Sequence, residues 1–319
     1  MTDPVSLTSW HDDWVGVRVV VLGLDAVAFS VVDTLTELGA EVAVIADDPP
    51  EQFAQLLPVI GATLARDASG AQLVIATAAT ADDDATVRWA RAAGVSVWGD
   101  VEFAWRVRDK VAAAHWICVA AERETDTVVD LVVHLISSAG ARVAGVGSGN
   151  VPILDAVRAP EGFDVLVVEL TERDLRWAAN SPVSPLASVC IDGDADALGR
   201  VYTNTRVACV YNKSVEPTMH FVEEAEVVEG CRAIGIDLGT PGPSDLGLVG
   251  DIVVDRAFHE NRHSAAIELT THGELAAAGL GDPASVIGVL AASALVRAFG
   301  VAPAIIGSAI ATFRDTRRA

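Results

Sequence analysis

The sequence predicts an α/β protein of two domains, each built on a mostly parallel sheet. Short runs of β-branched and apolar residues alternate with helical patterns, which is typical of doubly wound sheets. Gly23 follows the first of these runs, and Gly39 and Gly94 end two of the helical patterns. A chain of 319 residues is long enough for two cores of ordinary size.

The first domain is predicted to be Rossmann-like and to cover residues 1–113. It opens with a strand–helix–strand unit whose helix ends at Gly39, and the same alternation then repeats. Strands are expected at 17–22, 41–45, 73–77 and 95–98, with helices at 28–38, 85–93 and 101–111.

The second domain is predicted over residues 114–319 as a P-loop-type α/β unit. Its strands are expected at 115–120, 142–146, 164–169, 187–191 and 207–211, and its helices at 127–138, from Pro152, at 285–299 and in a short stretch to Phe313. Residues 235–250 are rich in turn formers, and alternating patterns at 252–258 and 264–269 predict a β-hairpin.

Charge and hydropathy exclude several classes of partner. The formal net charge of -22 disfavours binding to nucleic acid or to an anionic membrane surface. No apolar run approaches the roughly 18 residues of a membrane span, and the first residues do not resemble a signal peptide. We therefore expect a cytoplasmic protein. The four cysteines are expected to be reduced and buried: Cys118, Cys190, Cys209 and Cys231.

Two strand-to-helix turns lie where nucleotides bind in related folds, and both lack the required residues. In the first domain only Gly23, followed by Leu24, remains of a G-x-G-x-x-G pattern, because Asp25 replaces the second glycine. In the second domain the turn is Ala121-Glu122-Arg123-Glu124-Thr125-Asp126, without glycine or lysine. A phosphate loop needs both, so this segment is interpreted as a degenerate P-loop whose acidic residues complement the helix dipole.

Other segments offer alternative sites. Gly147-Ser148-Gly149-Asn150 follows a strand and has the glycines of an anion-binding turn, although such turns are also ordinary architecture. Glu169 ends an apolar strand, where ligands gather, and is the remaining metal candidate. The acidic tract from Asp192 to Asp196 fits either a hard cation or solvated loop residues. His259-Glu260-Asn261-Arg262-His263 matches the H-E-x-x-H zinc motif, but it lies between β-like runs, which favours a solvated turn.

Several segments together resemble the MurD family of Mur ligases. The resemblance rests on residues 19–24, 98–105, 150–157, 164–170, 207–212 and 227–235. It implies a Mur-ligase central domain after the Rossmann-like domain. It also implies a cytoplasmic enzyme that uses ATP and magnesium to join D-glutamate to UDP-N-acetylmuramoyl-L-alanine during peptidoglycan synthesis.

The sequence departs from that family where the chemistry takes place. The P-loop lysine of the family aligns with Thr125, and its magnesium-binding hydroxyl aligns with Asp126. The family's carbamylated lysine aligns with Leu198, and only Glu169 remains of its E-L-S-S-F-Q segment. The family's third domain, which holds the D-glutamate site, is expected to be absent.

These departures predict a catalytically inactive, pseudoenzyme-like member with no catalytic residue, no metal and no cofactor. We expect it to act as an interaction or regulatory scaffold, with a protein partner or a second copy of itself. Two alternatives remain open. One is a sensor that keeps a weak UDP-sugar site at Gly23, Leu24 and residues 147–150; the other is a ligase completed by a separate chain.

Overall fold

The computed structural model describes residues 3–123 and 125–314, and contacts divide the chain into two compact units. The first unit extends to Ala114 and also includes residues 151–162 and 173–183. The second unit comprises residues 115–150, 163–172 and the chain from Ser184 onward. Residues 151–162 and 173–183 therefore pack with the first unit, although they follow the predicted domain boundary at residue 113.

The first unit contains a five-stranded parallel sheet in the order β3-β2-β1-β4-β5. Its strands are β1 Arg18–Leu22, β2 Glu41–Ile45, β3 Thr63–Leu64, β4 Leu73–Ala76 and β5 Ser96–Gly99. Its helices up to residue 114 are α1 Ala26–Glu37, α2 Glu51–Ala54, α3 Leu57–Ile60, α4 Ala85–Ala93 and α5 Asp100–Arg106, and a 3-10 helix covers Pro4–Ser6.

Local sequence explains why these elements begin and end where they do. The carboxylates of Asp25 and Asp84 cap the amino termini of α1 and α4, and Gly94 ends α4 in the left-handed conformation. All four side chains of β4 are buried, as expected for a central parallel strand. The predicted Rossmann-like sheet is confirmed. Helices α2 and α3 and strand β3 were not predicted, because they are too short to show a period.

The second unit contains a nine-stranded sheet in the order β14-β13-β12-β11-β10-β9-β6-β8-β7. All pairings among β6 to β12 are parallel, whereas β13 pairs antiparallel with both β12 and β14. The strands are β6 His115–Ala120, β7 Val143–Gly147, β8 Val165–Leu170, β9 Ala187–Cys190, β10 Ala208–Asn212, β11 Arg232–Ile236, β12 Asp245–Val249, β13 Ile252–Asp255 and β14 Ile267–Thr271.

Helices complete the described chain. They are α6 Asp126–Ser138, α7 Ile153–Val157, α8 Glu172–Arg176, α9 Glu216–Glu223, α10 His272–Ala277, α11 Pro283–Phe299 and α12 Pro303–Ile310, with a 3-10 helix at Asp196–Tyr202. Helix α7 belongs to the first unit. In the second unit, α6 and α11 contribute buried apolar side chains to one core with the sheet. No helix within residues 3–123 and 125–314 is long and apolar enough to cross a membrane.

The hairpin prediction is confirmed, because β13 pairs antiparallel with β14. The assignment of residues 235–250 to turns is wrong, since β12 lies within them and pairs with β11. Its sequence Asp-Leu-Gly-Leu-Val includes two residues that disfavour strands, but burial of Asp245, Leu246 and Gly247 outweighs that preference. Helix α9 was also missed.

Candidate functional site

The segment between β6 and α6, residues 121–125, is called the nucleotide loop because a P-loop occupies this place in related folds. Strand β6 lies beside β9, so the loops that follow the two strands meet at the carboxyl edge of the sheet. Asp192, in the loop after β9, accepts hydrogen bonds from the backbone N–H of Glu122 at 2.8 Å and of Arg123 at 3.4 Å. The chain's own carboxylate therefore takes amides that a phosphate would need. Glu124 lies outside the described residues.

A second carboxylate lies at the amino terminus of α6. Glu169, at the end of β8, is 7% exposed and accepts hydrogen bonds from the Thr125 hydroxyl and from Nδ2 of Asn150, the latter at 2.7 Å. Asp126 begins the helix. Negative charge here is favourable to the helix dipole. The predicted metal candidate is thus placed as an acceptor for two polar neighbours, and no metal-binding group of side chains was found among the described residues.

The glycine turn at residues 147–150 closes onto the same strand. Gly147 has a φ of +100°, and a Cβ there would lie 2.2 Å from the carbonyl oxygen of Glu169. The N–H of Ser148 donates to that oxygen at 3.2 Å, and the N–H of Asn150 donates to the Gly147 carbonyl at 3.0 Å. Glycine is required for close approach of two backbones, and two of the turn's amides are already paired. The prediction of a substrate-binding turn remains a prediction.

Mg-ATP does not fit the residues of this edge. Of the two lysines, Lys213 pairs with Asp245 at 2.8 Å in the second unit, and Lys110 pairs with Glu37 in the first. Leu198 is fully buried at the position that aligns with the family's modified lysine. A triphosphate at this edge would therefore meet carboxylates without a lysine, and Asp126 stands at the position of the magnesium-binding hydroxyl.

The corresponding turn of the first unit also carries acidic groups. The N–H of Gly23 donates to the Ile45 carbonyl at 2.9 Å, and the Asp25 carboxylate accepts from the N–H of Ala28 at 2.9 Å. Leu24 is buried. Burial, together with the negative charges of Asp174 and Asp25, raises the pKa of Asp100 to about 8.

Asp100 was not identified from the sequence as a candidate site residue. Its position directly after β5, at the carboxyl edge of a parallel sheet, could have indicated it. The structure also brings Asp25, Asp100 and Asp174 close enough for their charges to interact. A nucleotide diphosphate placed in this turn would meet the carboxylate of Asp25.

The H-E-x-x-H segment lies in the turn between β13 and β14, not on a helix. The two imidazoles of a zinc motif need helical spacing, so the interpretation as a turn is supported. The cysteines differ from expectation in one respect. Cys231 is partly exposed, and its Sγ lies 3.7 Å from Sγ of Cys209.

Known proteins resemble this chain over most of its length. It is 45% identical to a UDP-N-acetylmuramoylalanine–D-glutamate ligase from Leifsonia xyli subsp. xyli over 97% of this chain and 66% of the relative. It is 39% identical to the protein of the same name from Streptomyces avermitilis over 95% of this chain and 68% of that relative. The chain thus spans about two thirds of the length of these relatives.

Two further comparisons concern the fold. A family described as putative NAD(P)-binding matches residues 13–99. The crystal structure of UDP-N-acetylmuramate:L-alanyl-gamma-D-glutamyl-meso-diaminopimelate ligase from Neisseria meningitides matches with a TM-score of 0.58 and 14% identity, over 94% of this chain and 99% of that one. At that identity the likeness concerns the fold alone.

Proposed function

Because the chain belongs to the family of UDP-N-acetylmuramoylalanine–D-glutamate ligases, the MurD family, we propose that it is a non-catalytic member that acts through protein contacts in peptidoglycan synthesis. The observation that carries this proposal is the nucleotide loop, whose amides are hydrogen-bonded to Asp192. The names of its relatives describe a ligation. In this chain the backbone amides of Glu122 and Arg123 in the nucleotide loop are already hydrogen-bonded to a carboxylate.

Electrostatics supports the proposal. A phosphate oxygen placed about 4 Å from Asp192 meets a repulsion of roughly 4 kcal/mol at an effective dielectric constant near 20, before solvent screening. A backbone amide that exchanged its carboxylate partner for phosphate would return at most about 1–3 kcal/mol. Thr125 stands in place of the lysine, and the cation of the loop, Arg123, is 79% exposed and lies 3.9 Å from Asp192, so it offsets little of the repulsion.

The direct test of non-catalysis is ADP release in the presence of Mg-ATP, UDP-N-acetylmuramoyl-L-alanine and D-glutamate. The Streptomyces avermitilis relative, assayed in parallel, is the positive control. We expect no ADP above the protein-free rate from this chain. Turnover that requires both other substrates would contradict the proposal, and turnover that appears only after a second chain is added would instead support the split ligase.

The contact role is supported by apolar exposure at one end of the first sheet. Leu56, Val59 and Leu64 are 43%, 78% and 52% exposed, and Leu64 belongs to β3, which forms the edge of the sheet. Exposed apolar side chains beside a strand edge favour pairing with another surface. We propose that this edge contacts either a second copy or an active Mur ligase.

Sedimentation velocity tests the contact role. The wild-type chain is measured alone and mixed with an active ligase, and Val59→Glu is compared with Val5→Glu, an exposed valine of the same unit outside this edge. We expect a complex that Val59→Glu abolishes and Val5→Glu retains. Absence of any complex at a protein concentration of about 100 μM would contradict the role.

The nucleotide-sugar sensor has less support from the described residues. The Asp25 carboxylate in its turn accepts the N–H of Ala28, and the buried Asp100 lies close enough to feel the charge of Asp25. Thermal shift with UDP-N-acetylmuramoyl-L-alanine distinguishes the two functions, since a ligand at 100 times its Kd stabilises a fold by about 2.7 kcal/mol. We expect no shift at millimolar ligand.

A further inference from the structure

The second unit has a cavity of about 460 Å³ at the edge of its sheet opposite the nucleotide loop. Arg232, the first residue of β11, lines it, and β11 runs parallel through its neighbours to β6, so the cavity lies at the amino ends of these strands. Other lining residues come from the turn after β13 and from the end of α11: Phe258, His259, Glu260, Arg262 and Arg297.

The cavity concentrates positive charge in a strongly acidic chain. Three guanidinium groups line it, in a protein whose formal net charge is -22. Asp255 is fully buried and pairs with Arg297 at 2.9 Å, so the positive charge of Arg297 is neutralised by a neighbouring carboxylate. Glu260 is exposed. Within residues 3–123 and 125–314, neither Arg232 nor Arg262 forms a salt bridge, so two of the three lining guanidinium groups have no ion-pair partner.

Two nitrogen atoms in the lining are buried without a partner. Nε of Arg262 and Nε2 of His259 have no hydrogen-bond partner among the described residues. Buried polar groups in folded proteins are almost always paired, and a charged one left unpaired is costly. Burial and the positive charge of Arg262 lower the pKa of Arg232, and the negative charge of Asp255 only partly opposes them. An anion between the two groups would supply both the acceptor and the opposite charge.

The other arginines hold the turn in a fixed shape. Arg232 Nη1 donates to the Ala257 carbonyl at 2.8 Å, and Arg297 Nη2 donates to the Phe258 carbonyl at 2.8 Å. Arg256 donates to the Arg262 carbonyl at 3.1 and 3.2 Å. A site whose backbone is fixed before the ligand arrives loses less entropy on binding.

We propose that this cavity binds a small molecule through an oxyanion, carried as a phosphate or a carboxylate group. The planar guanidinium fork matches both groups and forms two parallel hydrogen bonds with either. A volume of about 460 Å³ suits a metabolite rather than a polymer. Nε of Arg262 supplies a free donor, Arg232 supplies the second charge, and Nε2 of His259 donates as well in the tautomer that carries its proton there. This site is independent of the proposed scaffold role and lies at a different edge from the nucleotide loop.

Calorimetry on the full chain tests the site with sodium pyrophosphate and sodium succinate as probes, at ionic strength held constant with sodium chloride. We expect saturable binding of one equivalent of at least one probe. Binding of pyrophosphate assigns a phosphate ligand, and binding of succinate alone assigns a carboxylate ligand. No saturable heat with either probe up to a concentration on the order of 10 mM would overturn the proposal.

Variants localise the binding. Arg262→Gln removes a cation with a free donor, and His259→Gln removes the unpartnered ring nitrogen. We expect Arg262→Gln to weaken binding about tenfold or more through loss of a charge-assisted contact. Arg88→Gln is the matched control, because Arg88 is exposed in the first unit and its change in charge is the same. Circular dichroism checks that each variant is folded. Equal affinity of wild type, Arg262→Gln and His259→Gln would also overturn the proposal.

Discussion

Replacement of Asp192 by alanine removes the carboxylate that closes the nucleotide loop. The Oδ1 atom accepts from two amides, and the contact at 2.8 Å to Glu122 N–H is the stronger of them. A hydrogen bond to a charged acceptor contributes about 1.5–3 kcal/mol. Glu122 and Arg123 are exposed, so water replaces part of the lost contact, and we expect Asp192→Ala to lower the stability of the second unit by about 1–2 kcal/mol. The ion pair with Arg123, at 3.9 Å and with an arginine side chain that is 79% exposed, adds nothing measurable.

Urea denaturation can separate the two units in this experiment. Six of the seven tryptophans belong to the first unit, so fluorescence reports mainly on that unit, whereas circular dichroism reports on both. Asp194→Ala is the matched control, because Asp194 is an exposed carboxylate of the same loop, and such surface changes stay within about 0.5 kcal/mol. Equal stability of Asp192→Ala and Asp194→Ala, or a loss seen only by fluorescence, would refute the reasoning.

Three further outcomes are expected. Because the pKa of Asp100 is raised from 3.8 to about 8, folding favours its neutral form, so stability falls as pH rises from about 4 to about 8, by up to about 1.4 kcal/mol per pH unit. Asp100→Asn should flatten that dependence in urea titrations at pH 5 and pH 8, and an unchanged slope would contradict the assignment. Gly147→Ala forces a Cβ against the Glu169 carbonyl at positive φ, which should cost about 2–5 kcal/mol and lower Tm, whereas a Tm equal to wild type would show that the turn is open. Cys209 and Cys231 should form a disulfide with glutathione disulfide, detected as the loss of two free thiols; retention of all four thiols would argue against the pairing.

Periodicity and punctuation were sufficient to predict most of the fold. The β1–α1–β2 unit follows from an apolar run, a helical pattern and Gly39, and the structure places these elements within about two residues of the expected bounds. Strands β11 and β12 were not predicted as such, because they lie among glycines and prolines whose turn preference burial overrides.

The candidate site was harder to predict because its contacts are distant in sequence. Acidic residues in the nucleotide loop could be identified directly, but the partner of the Glu122 amide lies 70 residues away at Asp192. That contact depends on β6 being beside β9, a strand order that periodicity does not specify. The oxyanion cavity has the same origin, since β11, the turn after β13 and α11 supply its arginines separately.

The central claim is that the nucleotide loop is closed by carboxylates of the chain itself, and calorimetry with Mg-ATP tests it most directly. Wild type and Asp192→Ala are titrated at about 100 μM, with the Streptomyces avermitilis relative as the positive control. We predict no saturable heat for wild type, and none for Asp192→Ala, since Thr125 still occupies the place of the lysine. A stoichiometric signal from wild type with a Kd below about 1 mM, equivalent to roughly -4.1 kcal/mol, would contradict the account.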